Sequence, residues 1–265
     1  MISPVQGEEL FQGLAAVAWS AGAGEGADRA FFQGLLARRG GLALELGCGT
    51  GRLLLSCLRA GLAVEGCDLS ADMLALCRRD AERLGLAPVL YHQAMQELAL
   101  PRRYRTILIP CGSLKYVLGR PAVVETLRRC RAHLEPAGLL AFNLYLPTEE
   151  SIPGWTGRQF PTPWRLRVER DLDAGGGRLA VRQRTTAIDQ AAHRVTEERR
   201  YDLYAGSRLR QRQSLRGQFH WYEKAEVLEL LAAAGFGAVT VQGDYTGEEL
   251  AAHHGEAMVF LATCP

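Results

Sequence analysis

The chain has 265 residues, enough to bury one full hydrophobic core, or a core with a smaller lobe attached. Hydrophobic residues make up 48% of it and charged residues 23%, the net charge is +2, and this balance is typical of globular proteins. The lack of a long apolar run predicts no membrane span, and the N-terminus lacks the basic segment of a signal peptide. Seven cysteines without a C-x-x-C pair indicate neither a disulfide framework nor a zinc site, so we expect a cytoplasmic protein with reduced cysteines.

The first half of the chain alternates predicted helices and strands. Helices are predicted over about 7–18 and 28–38, with a glycine-rich link between them. Five strands are then predicted, over 42–46, 62–67, 88–92, 105–111 and 139–144. Helical patterns separate these strands, and Ser70 is expected to cap the helix over 71–84. The alternation favours a parallel sheet with helices on both faces.

The pattern changes near residue 150. Between 151 and 219, apolar residues recur at every second position in short segments separated by glycine-containing turns, which predicts an inserted antiparallel sheet. Three elements follow the insertion: a helix over 223–234 and strands over 238–242 and 258–263. Residues 1–150 and 220–265 are therefore expected to build one α/β core around the insertion.

The most informative segment is the turn at residues 44–51, Leu-Glu-Leu-Gly-Cys-Gly-Thr-Gly. An apolar run leads into it, a helical pattern follows it from Arg52, and Asp68 closes the next apolar run. Proteins of the α/β class bind nucleosides with this arrangement: a strand, a glycine turn, a helix and a second strand that ends in an acid. The glycines let the backbone approach the ligand, and the carboxylate of Asp68 can accept hydrogen bonds from both ribose hydroxyls.

The spacing of the glycines distinguishes between kinds of nucleoside. Dinucleotide-binding folds carry G-x-G-x-x-G, which would require a glycine at the position of Arg52. The frame present is E-x-G-x-G-x-G, with Glu45 two residues before Gly47. A carboxylate at that position suits a ligand with cationic ammonium and sulfonium groups and would be misplaced beside a pyrophosphate.

Residues 45–51 resemble motif I of the class I S-adenosylmethionine-dependent methyltransferases, and residues 66–74 resemble the next motif of that family. The resemblance extends over about 1–150 and 220–265. It implies an α/β fold with a seven-stranded, mostly parallel sheet and helices on both faces, a Rossmann-like arrangement. The antiparallel β insertion at 151–219 would then form a lid that covers the acceptor site.

The resemblance also implies S-adenosylmethionine as cofactor and a set of residues around it. The residues expected to bind the cofactor are Glu45, Gly47, Cys48, Gly49, Gly51, Asp68, Leu69, Met73, Ala94, Met95, Gln96, Pro110 and Cys111. The turn would surround the methionyl part, Asp68 the ribose, and Leu69 with Met73 the adenine. Ala94 stands where the family commonly has an acid, so the adenine amine is expected to bond to a backbone group or to Gln96.

Methyl transfer from a sulfonium is an in-line displacement, so alignment of the two reactants can supply much of the rate. A general base is needed only if the acceptor arrives protonated. No metal is required, and no ligand cluster at metal spacing is found in the sequence. Candidates for the acceptor site are Ser113, Lys115, Tyr116, Tyr145, His220, Tyr222, Asp244, Tyr245, His253 and His254. Tyr116 and His220 are predicted to be catalytic, and packing or solvent exposure is the alternative for each.

The insertion is basic, with fourteen arginines against seven acidic residues over 155–220. One interpretation is attraction for an anionic substrate. The other, which we favour, is the polar face of alternating strands with arginine as the preferred polar residue. Few aromatic residues interleave with the arginines, so a nucleic-acid partner is not predicted, and the oligomeric state is left open.

We predict S-adenosylmethionine-dependent methyl transfer to nitrogen or oxygen of a small-molecule acceptor. The lid and the closing helix resemble those of small-molecule N-methyltransferases, including those of amino sugars. Two alternatives remain at this point. A non-catalytic S-adenosylmethionine-binding protein would have the same motifs, and an NAD-linked oxidoreductase is disfavoured by Arg52 and Glu45.

Overall fold

The computed structural model describes residues 7–22, 26–157, 159–172, 177–251, 255 and 257–264. The helices are α1 Leu14–Gly22, α2 Ala27–Arg39, α3 Leu54–Arg59, α4 Ala71–Arg83, α5 Arg120–Ala132 and α6 Lys224–Ala233. The strands are β1 Ala43–Leu46, β2 Val64–Asp68, β3 Leu90–His92, β4 Tyr104–Ile109, β5 Leu134–Tyr145, β6 Arg165–Leu172, β7 Gly177–Asp189, β8 Arg194–Ala205, β9 Arg208–His220, β10 Val239–Gly243 and β11 Ala257–Thr263. Single 3₁₀ turns lie at Gly7–Phe11, Met95–Glu97 and Ser113–Tyr116.

The central sheet has seven strands in the order β10-β11-β5-β4-β1-β2-β3. Strand β1 pairs in parallel with β2 and β4, and β4 pairs in parallel with β5. Strand β11 runs antiparallel to both of its neighbours, β5 and β10. The predicted seven-stranded, mostly parallel sheet is therefore confirmed. All four residues of β1 are buried, as expected for a strand with helices over both faces of its sheet.

Alternate residues of the central strands enter two separate cores. Leu44 of β1 and Ile107 of β4 pack with the apolar residues of α5 and α6 on one face. Ala43 and Leu108, their neighbours in sequence, pack with those of α2, α3 and α4 on the other. This period of two sets the sheet between two helical layers, and it leaves the carboxyl ends of β1, β2 and β4 at one common edge.

The segment predicted to be an insertion forms a separate antiparallel sheet of four strands, β6-β7-β8-β9. We call it the second sheet. It leaves the core after β5 and returns to it at α6. Leu179 and Tyr201 on its inner face pack against Leu14 and Ala18 of α1, so the N-terminal helix lies between the second sheet and helix α4 of the core.

The first predicted helix, over 7–18, is wrong as a single element. A 3₁₀ turn ends at Phe11, and α1 begins only at Leu14. Gly13 separates them with φ of +60°, and its N–H donates to Oδ2 of Asp72 at 2.7 Å. The predicted cap of α4 is confirmed, because Ser70 Oγ accepts from the N–H of Met73 at 3.2 Å. None of the helices in the described ranges has the length and apolarity needed to span a membrane.

Candidate active site

A cavity of about 710 Å³ lies at the carboxyl edge of the central sheet. Most of the residues predicted to hold the cofactor line it: Glu45, Gly47, Cys48, Gly49, Asp68, Leu69, Met73, Met95, Gln96, Pro110 and Cys111. This is the place where open α/β sheets bind ligands, beyond the ends of their parallel strands. Gly51 and Ala94, which were also predicted, do not line the cavity.

The glycine turn needs its glycines for two different reasons. Gly47 faces the cavity with φ of +71°, and a Cβ there would lie 2.9 Å from Ser113 Oγ. Gly51 has φ of +88°, and a Cβ there would lie 2.6 Å from Cys77 Sγ and 2.8 Å from Leu55 Cγ. Gly51 therefore serves the packing of α3 and α4 behind the turn, not the ligand. Ala94 is buried beside the 3₁₀ turn that begins at Met95.

Asp68 is tied to the backbone on both sides of its strand end. Its Oδ2 accepts from the N–H of Gly49 at 2.7 Å, and its Oδ1 accepts from the N–H of Ser70 at 2.8 Å. Burial raises the pKa of this carboxyl, and the backbone donors oppose that shift. A carboxylate has about four acceptor positions, so two remain for hydroxyl donors in the cavity.

Glu45 is a buried carboxyl at the floor of the cavity. Burial raises its pKa from 4.5 to about 8, and the backbone N–H of Leu54 at the start of α3 opposes the rise. Within the part of the chain that the structure describes, Oε2 of Glu45 has no hydrogen-bond partner. A buried acceptor without a partner is costly. A cationic ammonium group of a ligand would satisfy it, so the site fits the positive methionyl group of S-adenosylmethionine.

Arg52 and Asp28 form an ion pair on the cavity wall. Arg52 Nη1 donates to Asp28 Oδ1 at 3.0 Å, and Nη2 donates to the second carboxylate oxygen and to Cys111 Sγ, the latter at 2.9 Å. Cys111 adopts φ of +56°, which turns the chain sharply after β4. Burial raises the pKa of its thiol to about 11, so the sulfur stays protonated. The guanidinium offers the cavity a donor for a carboxylate.

Sequence reasoning missed several residues of the cavity wall. Arg52 was noted only as a mismatch to the dinucleotide fingerprint, although its position next to the turn was a usable signal. Asp28 lies 24 residues earlier in the chain, and no local pattern links it to Arg52. Phe11 and Trp19, the aromatic residues that the sequence offers in the N-terminal region, line the cavity with ring centroids 6.4 Å apart.

Tyr116, one of the two residues predicted to be catalytic, lines the cavity. Its ring meets Phe11 edge to face at 5.1 Å, and its hydroxyl accepts a hydrogen bond from Arg199 Nη2 at 3.4 Å. Arg199 lies on β8 and is held by Glu197 at 2.7 Å. Among the described residues, none from β6 to β9 lines the cavity itself. The second sheet therefore reaches the site through Tyr116.

His220, the other predicted catalytic residue, lies outside the cavity. Its Nε2 is 3.0 Å from Glu226 Oε1, and it borders a separate crevice of about 40 Å³ beside Lys115 and Tyr222. The last residue of β9 turns toward α6, which carries Glu226, and away from the sheet edge. We therefore remove His220 from the proposed catalytic residues.

Of the other candidates for the acceptor site, some line the cavity and others have different contacts. Ser113 and Tyr145 line the cavity. Asp244 accepts from the backbone N–H groups of Gly255 and Ala257, and Tyr245 packs against Phe31 and Phe32. His253 and His254 lie outside the described residues.

Among the described residues of the insertion, seven arginines are seen paired with carboxylates: Arg165, Arg178, Arg182, Arg184, Arg199, Arg200 and Arg212. The fully buried Asp202 forms ion pairs with three of these arginines, Arg182, Arg200 and Arg212. This pairing favours the interpretation of the basic charge as the polar side of a sheet. Attraction of an anionic acceptor stays a prediction.

Residues 43–138 match the sequence profile of a family described as a methyltransferase domain. A dTDP-3-amino-3,6-dideoxy-alpha-D-glucopyranose N,N-dimethyltransferase from Streptomyces fradiae is 33% identical over 115 residues, 42% of this chain and 42% of that protein. The chain spans less than half the length of the curated relatives it matches. Residues 43–138 therefore match a methyltransferase domain, in agreement with the resemblance of residues 45–51 and 66–74 to class I S-adenosylmethionine-dependent methyltransferases.

Two solved structures share the fold over nearly the whole chain. A sugar N-methyltransferase from Streptoalloteichus has a TM-score of 0.72 at 18% identity, covering 100% of this chain and 96% of that one. An amino pentose methyltransferase from Micromonospora echinaspora, solved with S-adenosylmethionine bound, has a TM-score of 0.66 at 20% identity, covering 94% and 96%. At these identities the likeness establishes the fold alone, and the bound S-adenosylmethionine is a property of the second structure.

Proposed function

We propose that the protein transfers a methyl group from S-adenosylmethionine to nitrogen or oxygen of a small-molecule acceptor. The observation that carries this proposal is the charge pattern of the cavity. Asp68 keeps acceptor positions for hydroxyls, Glu45 has a buried oxygen without a described partner, and Arg52 presents a guanidinium. A ligand with a ribose, an ammonium group and a carboxylate matches all three.

Each part of the cofactor has a chemically matched residue. Asp68 would hold the ribose, Glu45 the ammonium group and Arg52 the carboxylate, while Leu69 and Met73 would contact the adenine. When bound, S-adenosylmethionine supplies an electrophilic methyl group on a positively charged sulfur. The wall residues Phe11 and Trp19 give the cavity an aromatic surface on one side.

Tyr116 is proposed to orient the acceptor. Its hydroxyl oxygen accepts from Arg199, so its own proton stays available to an oxygen of the acceptor next to the reacting atom. Ser113 Oγ donates to the carbonyl oxygen of Pro110 at 2.8 Å and keeps an acceptor position for an acceptor N–H or O–H. Correct alignment of two reactants can be worth about 7–11 kcal/mol, so positioning groups suffice for most of the acceleration.

Amino sugars are the first acceptor class to test. The Streptomyces fradiae relative is named for N,N-dimethylation of an amino sugar nucleotide, and the two structural neighbours are named as methyltransferases of a sugar nitrogen and of an amino pentose. The cavity of about 710 Å³ is of the size that binds small molecules. The proposal leaves nitrogen and oxygen open, because Tyr116 and Ser113 could orient either.

The experiment is a transfer assay with methyl-labelled S-adenosylmethionine and a panel of acceptors. The panel pairs each amino sugar nucleotide with its hydroxyl counterpart, so that the labelled product reports nitrogen or oxygen directly. We expect label in a small-molecule product with the native chain and none with Asp68→Ala. Tight binding of S-adenosylmethionine without transfer to any acceptor would contradict the enzymatic proposal and favour a non-catalytic binding protein.

A further inference from the structure

Three potential metal ligands meet outside the cavity. His193 ends the turn between β7 and β8, His220 ends β9, and Glu226 lies in the first turn of α6. The donor atoms of the three side chains all lie within 4.8 Å of one another. No local spacing in the sequence links them, since each belongs to a different element, and for this reason the sequence predicted no metal ligands.

The carboxylate of Glu226 lies between the two imidazoles. Its Oε2 is 3.1 Å from His193 Nδ1, and its Oε1 is 3.0 Å from His220 Nε2. Ligand atoms about 2.0–2.1 Å from one zinc ion in tetrahedral geometry lie only slightly farther apart than these pairs. The two imidazole nitrogens, which lie within 4.8 Å of each other, would have to share the same ion with the carboxylate, so metal binding would replace the two hydrogen bonds.

Both imidazole rings are held in place by their surroundings. The His193 ring stacks on Trp221 at 3.9 Å between centroids, and the His220 ring packs against Tyr222 at 4.3 Å. The backbone of His193 adopts φ of 47°, and its carbonyl accepts from the N–H of Trp221 at 3.0 Å. A ligand set that is already ordered loses little conformational freedom when a metal binds.

The cluster is also accessible to an ion. His193 and Glu226 are each partly exposed, so an ion can reach the cluster from solvent.

We propose that His193, His220 and Glu226 form a binding site for a divalent transition-metal ion, with Zn²⁺ as the best match. Two imidazole nitrogens and one carboxylate oxygen are a common zinc ligand set, and they leave a fourth position for water. Magnesium and calcium prefer oxygen ligands and do not match it. A metal here would join the second sheet, through two of its strand ends, to helix α6 of the core.

The test is titration of tag-free, reduced and chelator-treated protein with Zn²⁺, followed by calorimetry and by thermal melting. We expect one Zn²⁺ per chain and an increase in Tm of several degrees, with no effect of Mg²⁺. His193→Ala and Glu226→Gln should each weaken binding by more than about tenfold, the loss that disturbing even an outer partner of a metal ligand produces. His92→Gln, which removes an exposed imidazole elsewhere, is the control and should bind as the native chain does.

Glu226→Gln separates the metal site from a hydrogen-bonded cluster. A glutamine can still bond to both imidazoles, but its amide is a poor zinc ligand, so the fold is kept while the metal affinity falls. Absence of Zn²⁺ binding to the native chain would overturn the proposal. Undiminished binding in either His193→Ala or Glu226→Gln would overturn it too, because the ion would then be held elsewhere, for example by cysteines.

Discussion

The carboxyl edge of the central sheet and the second sheet differ in how their side chains are brought together. At the edge, Glu45, Gly47 and Asp68 belong to one βαβ unit, and their contacts are fixed by local geometry. In the second sheet, Arg199 reaches Tyr116 across 83 residues of sequence, and Glu226 reaches His193 across 33. The contacts at the edge can be predicted from sequence, because local geometry fixes them. The contacts of the second sheet depend on strand register and on how one sheet packs against the other.

The largest effect is expected where local geometry alone builds the site. Asp68→Ala removes a carboxylate that accepts two backbone bonds and has positions for two ribose hydroxyls. Loss of two hydrogen bonds to a charged group, each about 1.5–3 kcal/mol, should weaken S-adenosylmethionine binding by more than about a hundredfold. Calorimetry measures the change. Asp80→Ala, which removes a carboxylate paired with Arg79 on α4, is the matched control; equal losses in the two variants would show a general effect of charge.

Tyr116→Phe tests the point at which the two regions meet. Removal of the hydroxyl breaks its bond with Arg199 and takes away the proposed orienting group. The turnover number should fall about tenfold to a hundredfold, because a misplaced reactant costs up to about that much, while the affinity for S-adenosylmethionine stays unchanged. Tyr204→Phe, on the outer side of the second sheet beside Arg178, is the control. A fall in cofactor affinity that accounts for the whole loss would refute an acceptor-side role.

A third prediction concerns the packing behind the glycine turn. Gly51 and Gly61 both have positive φ, +88° and +75°, but only at Gly51 would a Cβ meet described atoms within 4 Å. Gly51→Ala should therefore lower the free energy of unfolding by about 1–3 kcal/mol more than Gly61→Ala, the usual cost of overpacking. Urea denaturation of both variants gives the difference. Similar losses of unfolding free energy in the two variants would mean that the positive φ alone requires a glycine at position 51.

The smallest expected effect is the release of a proton from Glu45 when the cofactor binds. Burial holds its pKa at about 8, so near pH ~7 the carboxyl of the free protein is mostly protonated. A cationic ligand favours the ionised form, so binding of S-adenosylmethionine should release up to about one proton, and affinity should increase as the pH rises toward 8. Calorimetry in buffers of different ionisation enthalpy detects this release. Glu45→Gln should abolish it; an unchanged proton release in that variant would place its source elsewhere.

The same group contributes to stability in a defined pH window. The folded chain keeps the proton of Glu45 when the unfolded chain has lost it, because the folded pKa is raised from 4.5 to about 8. The free energy of unfolding of the ligand-free protein should therefore fall as the pH rises across that interval, and this contribution should level off above it. The Glu45→Gln variant should lack the slope.

Sequence reasoning succeeded where residues close in the chain share an element or a turn. The period of the apolar residues gave the seven central strands, and the glycine frame with Glu45 gave the cofactor family. The sequence analysis predicted that Gly51 binds the cofactor. A single sequence does not distinguish a glycine required for packing from one required for the approach of a ligand. The structure separates them by what a Cβ would meet at each position.

The second sheet was recognised from its period of two, but its contacts were not predictable. Which residue of β8 faces Tyr116 depends on the pairing of β8 with β7 and β9. The role of His220 depends on where α6 begins after β9, because Glu226 draws the imidazole away from the cavity. The pair of Asp28 with Arg52 joins helix α2 to the turn before α3, and only the folded sheet defines the relative position of these two segments.

The cofactor can be identified by one titration. S-adenosylmethionine, S-adenosylhomocysteine and NAD are added separately to the purified native chain in a calorimeter. We expect micromolar binding of the first two at one site per chain and no binding of NAD, since Glu45 would face its pyrophosphate. Binding of NAD without binding of S-adenosylmethionine would contradict the proposed function, because the glycine turn would then serve a dinucleotide.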